Sequence, residues 1–194
     1  MTITLAIKNR IKYMPKGKPF SCSIFSEVGP RTSVDKALSR MVQSGFLERI
    51  TRGVYMRPKV TKYVGQVRPS PTVVMRVIAK AKGEVIQIHG SEAVRIFNLS
   101  IQMQMIPTYY TSGPSREINV GNAVVRLQHV SRARLQHAGT RVGAALSALY
   151  YIGKDNLTMS SLTSIVSTLS AGEVKKLRTS MMPNWMRSAV LSAT

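Results

Sequence analysis

Between Pro30 and Gly45, six donor-bearing side chains, Thr32, Ser33, Lys36, Ser39, Arg40 and Gln43, recur among the apolar residues Val34, Ala37, Leu38, Met41 and Val42. The apolar five fall at i, i+3, i+4, i+7 and i+8, which is one stripe of an α-helix. At about 100° per residue, Thr32, Lys36, Ser39 and Gln43 then project from the opposite side, with Ser33 and Arg40 flanking. None of the six is an acid. Hydroxyl, amide, ammonium and guanidinium groups on one helix face can donate to base edges and meet phosphates. Arg is best matched to guanine, and Lys to guanine or phosphate. Arg49 and Arg52 follow in a short segment around Thr-Arg-Gly, and Lys16 and Lys18 precede in a Pro- and Gly-containing stretch. These four are suited to holding phosphates. The bland alternative is an ordinary three-helix domain whose polar face touches only water. Against it stands the order of a Gly-Pro turn, an acid-free face and a hairpin.

Little else in the chain carries chemistry. The acids number eight, without paired carboxylates in a common motif, and no P-loop is present. One cysteine, Cys22, excludes an intramolecular disulfide, and His89, His129 and His137 show no metal-ligand spacing with it. The expectation is a protein without catalytic activity, cofactor or metal. Ser112 to Glu117 (SGPSRE) reads as a hairpin turn rather than a phosphate-binding turn, and His89 as a packed or helix-capping residue. Trp185 with Met181, Met182 and Met186 forms a soft apolar cluster, read as core before docking surface.

The elements that must position the donor face follow from periodicity. Leu5, Ile7, Ile11 and Met14 predict a first helix over residues 3–13, stopped before Pro15. Residues 20–28 hold Phe20, Ile24, Phe25 and Val28 and read as a second short helix, capped by Ser21 or Ser23. The donor-bearing segment is the third, with Thr32 as its cap answered by Asp35, and Gly45 as its stop. Phe46, Leu47, Ile50, Val54 and Tyr55 predict two strands joined by a tight turn at Thr51, Arg52 and Gly53. Three helices and a hairpin make a winged helix-turn-helix over residues 1–62, in which the third helix enters the major groove. Residues 63–71 read as a linker. Residues 72–194 form a second domain, opening with a helix on Val73, Val74, Val77, Ile78 and Ala81. A short apolar run at 85–88 and a helix over 91–99 capped by Ser91 come next. Residues 107–111, 116–120 and 123–129 read as a small antiparallel meander, and four helices close the chain. The expected class is α+β: an N-terminal winged helix-turn-helix, then a small α/β domain with antiparallel strands and C-terminal helices.

Composition points to a polyanionic partner. Lys plus Arg number 28 against 8 acids, for a formal charge of +20, and residues 1–68 carry 14 of those cations and 3 of the acids. Lys8, Arg10 and Lys12 extend the Lys16 and Lys18 cluster. The apolar start is too soon interrupted by charge to be a signal segment, and no 18 apolar residues run together, so a cytoplasmic protein without a membrane partner is expected.

The motif order resembles the AbiEi-type antitoxins of type IV toxin-antitoxin systems, in the short branch with one winged-helix and one α/β domain. The resemblance covers nearly all the chain. It rests on VDKALSRMVQSGFLERITRGVYMRP in the first domain. In the second it rests on IAKAKGEVIQIHGSEAVRIFNLS, PTYYTSGPSREINVGNAVVRLQHVS and the late MPNWM. Family members commonly show Gly-Leu-Ser where this chain has Asn98, Leu99 and Ser100, so that turn departs from the pattern. The resemblance implies an autorepressor that binds inverted repeats in its own promoter and counteracts a co-encoded nucleotidyltransferase-like toxin. Two other functions compete: an RNA-binding or ribosome-associated protein, which needs exposed aromatic platforms, and an adaptor whose C-terminal domain binds a protein partner.

Overall fold

Ile7 and Ile11, one turn apart on α1 (Ile3–Lys12), are fully buried in one cluster with Val34, Ala37, Leu38 and Met41 of α2 (Arg31–Gln43). Phe20, Phe25, Leu47 and Tyr55 complete that core. The apolar stripe read from the sequence is thus the buried face of α2, with Val42 half-buried at its edge. A computed structural model describes residues 2–61 and 65–193.

Between the two helices the chain departs from the expected second helix. β1 (Pro19–Ser21) pairs antiparallel with β3 (Val54–Met56), and a single 3-10 turn over Cys22–Phe25 follows, with Ser21 Oγ accepting from the Ser23 amide at 3.2 Å. Pairing with a strand more than thirty residues later wins over local helical spacing here, and what remains is too short for an α-helix. β2 (Glu48–Thr51) lies on the other side of β3, giving the order β1-β3-β2. Its register shifts between Arg49 and Thr51, which leaves Ile50 as a bulge. Helix, strand, turn, helix and hairpin in this order form a winged helix-turn-helix.

Residues 62–64, where the sequence reading ends the first domain and begins the linker, lie outside the described residues. On either side, β4 (Val60–Thr61) pairs with β5 (Gly65–Gln66). Glu48 holds this stretch, accepting from Gln66 Nε2 at 2.6 Å and Arg68 Nε at 3.0 Å. α3 (Pro71–Ala81) then buries Val74, Met75 and Ala79, and lies against β1 and β3. The chain divides into two compact units, Met1–Gly83 with Ile118–Val125, and Glu84–Glu117 with Arg126–Thr194. The helix that opens the second domain in the sequence reading therefore belongs to the first unit.

In the second unit, α5 (Arg141–Ile152) is buried continuously from Val142 to Leu149. It packs on α4 (Gly90–Ile96) and α7 (Ala171–Thr179), with α6 (Met159–Ser167) and α8 (Asn184–Ser192) completing the cluster through Leu162, Ile165, Met186 and Val190. Trp185 and Met182 pack against this core, whereas Met181 is exposed. The strands are β6 (Ile86–Ile88), β7 (Thr108–Thr111), β8 (Arg116–Val120) and β9 (Ala123–His129), in the order β6-β7-β9-β8. This is not the expected meander. β7 pairs antiparallel with β6 and parallel with β9. The segment at Ser112 to Glu117 is consequently a crossing connection rather than a hairpin. A Cβ at its Gly113 would meet the Glu84 carboxylate, so a side chain there would require that carboxylate to shift. That carboxylate is only 7% exposed and is paired with Arg116 at 2.6 Å.

α4 is capped by His89, not Ser91. Nδ1 of His89 accepts from the Ser91 amide at 3.2 Å and lies 2.8 Å from Ser91 Oγ and 3.2 Å from Gln104 Nε2. Three donors converging on Nδ1 assign it as the acceptor nitrogen. Burial, with the nearby Arg134 cation, holds the imidazole pKa below its ordinary value. At the other end of α4, Asn98 sits at φ 57. Its amide donates to Arg95 O, and the Leu99 amide to Val94 O at 2.9 Å, which is a Schellman closure. The Asn that departs from the Gly-Leu-Ser pattern thus fills a left-handed position that glycine and asparagine both tolerate.

Candidate nucleic-acid interface

The face of α2 opposite its core stripe stands in solvent: Thr32, Lys36, Ser39, Arg40 and Gln43 are exposed, and Ser33 is half-buried. The expected cap is not made. Pro30, at φ −54 and ψ 140, precedes the first helical residue and its carbonyl accepts from the Ser33 and Val34 amides. Thr32 is therefore the second residue of the helix, with its hydroxyl free of the capping role. Asp35 does not answer Thr32. It lies 3.7 Å from Arg31 in an exposed i,i+4 pair, worth a few tenths of a kcal/mol. Gly45, at φ 73, closes the helix as its sequence position requires.

The hairpin supplies the second element. Arg49 and Arg52 are exposed, and Gly53 takes φ 77 in the turn. The Cys22 amide donates to Gly53 O at 2.9 Å, which fastens the wing turn to the 3-10 turn that leads into α2. Beneath the wing, Tyr55 stacks on Phe20 at 6.4 Å, and burial pushes its phenol pKa up. The wing is thus carried on a packed aromatic base while its tip remains in water.

Lys16 and Lys18 are exposed on the loop between α1 and β1. That loop is fixed by a residue the sequence reading passed over. Arg57 donates from Nη1 to Lys12 O at 2.7 Å and to Met14 O at 2.8 Å, and its own carbonyl accepts from the Gly17 amide at 2.9 Å. No local pattern marks Arg57, because its partners lie forty or more residues away. Two cations of the N-terminal cluster are also engaged in the fold: Arg10 donates to Ile24 O at 2.9 Å and covers the Phe25 ring, and Lys8 lies over Phe46.

The electrostatic result is a set of uncompensated cations. Among the described residues Lys16, Lys18, Lys36, Arg40, Arg49 and Arg52 enter no ion pair, while the first unit's Asp35 and Glu48 are each matched by an arginine. Exposed cations on α2, the hairpin and the loop between α1 and β1, with hydroxyl and amide donors on α2, can neutralise phosphates and reach base edges. No group of His, Cys, Asp and Glu that could hold a metal occurs among the described residues. Nor is any helix among them long and apolar enough to cross a membrane. A family model described as a family of unknown function (DUF6088) matches residues 6–177. Neither a curated protein nor a solved structure matches the chain.

Proposed function

The chain belongs to DUF6088, a family of unknown function; we propose that it binds double-stranded DNA through α2 and the wing and represses transcription of its own operon. The observation that carries this reading is the exposed, acid-free face of Thr32, Lys36, Ser39, Arg40 and Gln43, presented beside an exposed Arg52 on a wing turn. In such a pair, α2 lies in the major groove, with Lys36, Ser39 and Arg40 at base edges and Ser33 at the margin. Arg49, Arg52, Lys16 and Lys18 hold phosphates. The resemblance to AbiEi-type antitoxins supplies the wider role: an antitoxin that recognises inverted repeats and counteracts a co-encoded nucleotidyltransferase-like toxin in the cytoplasm.

A band-shift on the upstream region of the gene tests it, against scrambled DNA at equal salt. Tighter binding to the upstream duplex is expected, and Arg40→Ala should remove about 1–3 kcal/mol of that preference. Equal affinity for both duplexes at every salt concentration would reject sequence reading by α2.

A further inference from the structure

The last three helices leave an open groove of about 650 Å³ in the second unit. Ala171, Val174, Lys175 and Arg178 fall at i, i+3, i+4 and i+7 on α7, a single stripe, and line it together with Val166 and Leu169 from the end of α6. The floor is apolar: Val166, Leu169 and Val174 face the groove while also packing on the core cluster. The rim is cationic, with Lys175 and Arg178 in the lining. Glu173 is the one carboxylate side chain in residues 156–194. It is occupied in the capping box of α7, accepting from Ser170 N at 2.9 Å and Ser170 Oγ at 3.0 Å, and hydrogen bonds from that cap hold its pKa down.

We propose that this groove is a docking site for an amphipathic helix of an acidic partner protein, whose apolar edge covers the floor and whose carboxylates meet Lys175. Charge complementarity selects the partner. A second copy of a chain carrying +20 would bring cations against cations. Nucleic acid would be drawn to the rim but would leave the Val and Leu floor uncovered, and no aromatic side chain lines the groove on which a base could stack. An apolar strip flanked by acids satisfies both parts of the surface, in the helix-in-groove mode.

The test uses the full chain and a fluorescein-labelled peptide of about 18 residues built from Leu, Ala and Glu, with Leu at i, i+3, i+4 and i+7 so that it forms one apolar edge. Controls are a peptide of the same composition with the Leu order scrambled, and one with Lys for Glu. Anisotropy should show binding of the first peptide, with the scrambled one about tenfold weaker and the Lys version silent. Lys175→Glu should weaken the first peptide by about tenfold. Ala171→Trp, an exposed position at the groove wall, should block it while leaving the melting curve and duplex-DNA affinity unchanged. The proposal is overturned if the first peptide fails to bind, if the scrambled peptide binds equally, or if neither substitution changes the affinity. A fall in duplex-DNA affinity on Lys175→Glu as large as that caused by substituting Arg52 would assign the groove to nucleic acid instead.

Discussion

Removing Arg52 isolates the electrostatic part of DNA binding without disturbing the fold, because the side chain is exposed at the wing turn and in no ion pair among the described residues. If Lys16, Lys18, Arg49 and Arg52 each neutralise one phosphate, log K should fall against log salt with a slope of about −3.6. Raising monovalent salt fourfold, from about 50 to about 200 mM, then costs the intact protein about 150-fold in affinity. Arg52→Ala removes one released counterion, so its slope should be about −2.7 and the same salt change should cost about 40-fold. Further phosphate contacts from Lys36 or Arg40 would steepen both lines, yet their difference of about 0.9 would persist. The assay is fluorescence anisotropy of one labelled duplex with each protein across the salt series, repeated on a scrambled duplex. The loss should be similar on both, since phosphates carry no sequence. Parallel salt lines for the two proteins would refute the placement of Arg52 on the backbone, and a wild-type slope near zero would refute the cationic interface as a whole.

Asn98→Ala should destabilise the second unit by about 1 kcal/mol in chemical denaturation, and Asn98→Gly should not, because only the alanine meets a steric penalty at φ 57. Arg57→Leu should cost about 1–3 kcal/mol through the lost bonds to Lys12 O and Met14 O, and should also raise amide exchange in residues 13–18. The depressed pKa of His89 sets a pH dependence with a definite sign. Its contribution to stability is fully present above the unfolded value of about 6.5, and is lost as pH falls from there towards the folded value, since the unfolded chain takes up a proton that the folded one refuses. His89→Asn, which keeps a capping acceptor without a titrating ring, should flatten thermal stability between about pH 7 and pH 5. A decline as steep as in the wild type would show that another group is responsible.

The segment on which the proposed function rests was legible because it needs no distant partner to be recognised. Five apolar residues at helical spacing, a Gly that must take positive φ and an Arg-Gly turn place α2 and the wing from local pattern alone. Where long-range pairing decides, the pattern fails. Phe20, Ile24, Phe25 and Val28 satisfy a helical template, yet Phe20 and Ser21 of that stretch join Pro19 as the edge partner of β3. The alternation in residues 107–129 reports strands but is silent on which strand lies beside which, so a parallel β7-β9 pair looks like one more step of a meander. The cap of α2 was misplaced because Thr32 and Asp35 match a capping box, whereas Pro30 starts the helix two residues before Thr32. Arg57 and Glu48 act across the fold and leave no trace in neighbouring residues.

The first unit is discontinuous: it takes in Ile118–Val125 as well as Met1–Gly83. During synthesis it stays incomplete until residue 125 has left the ribosome, by which time residues 84–117 of the second unit have also emerged. A fragment cut at Gly83 would keep α2, the wing and the lysine loop, but would begin life lacking eight residues of its own unit. A DNA-binding assay on such a fragment would measure how far the proposed interface works in isolation, with the whole chain as the reference for its strength.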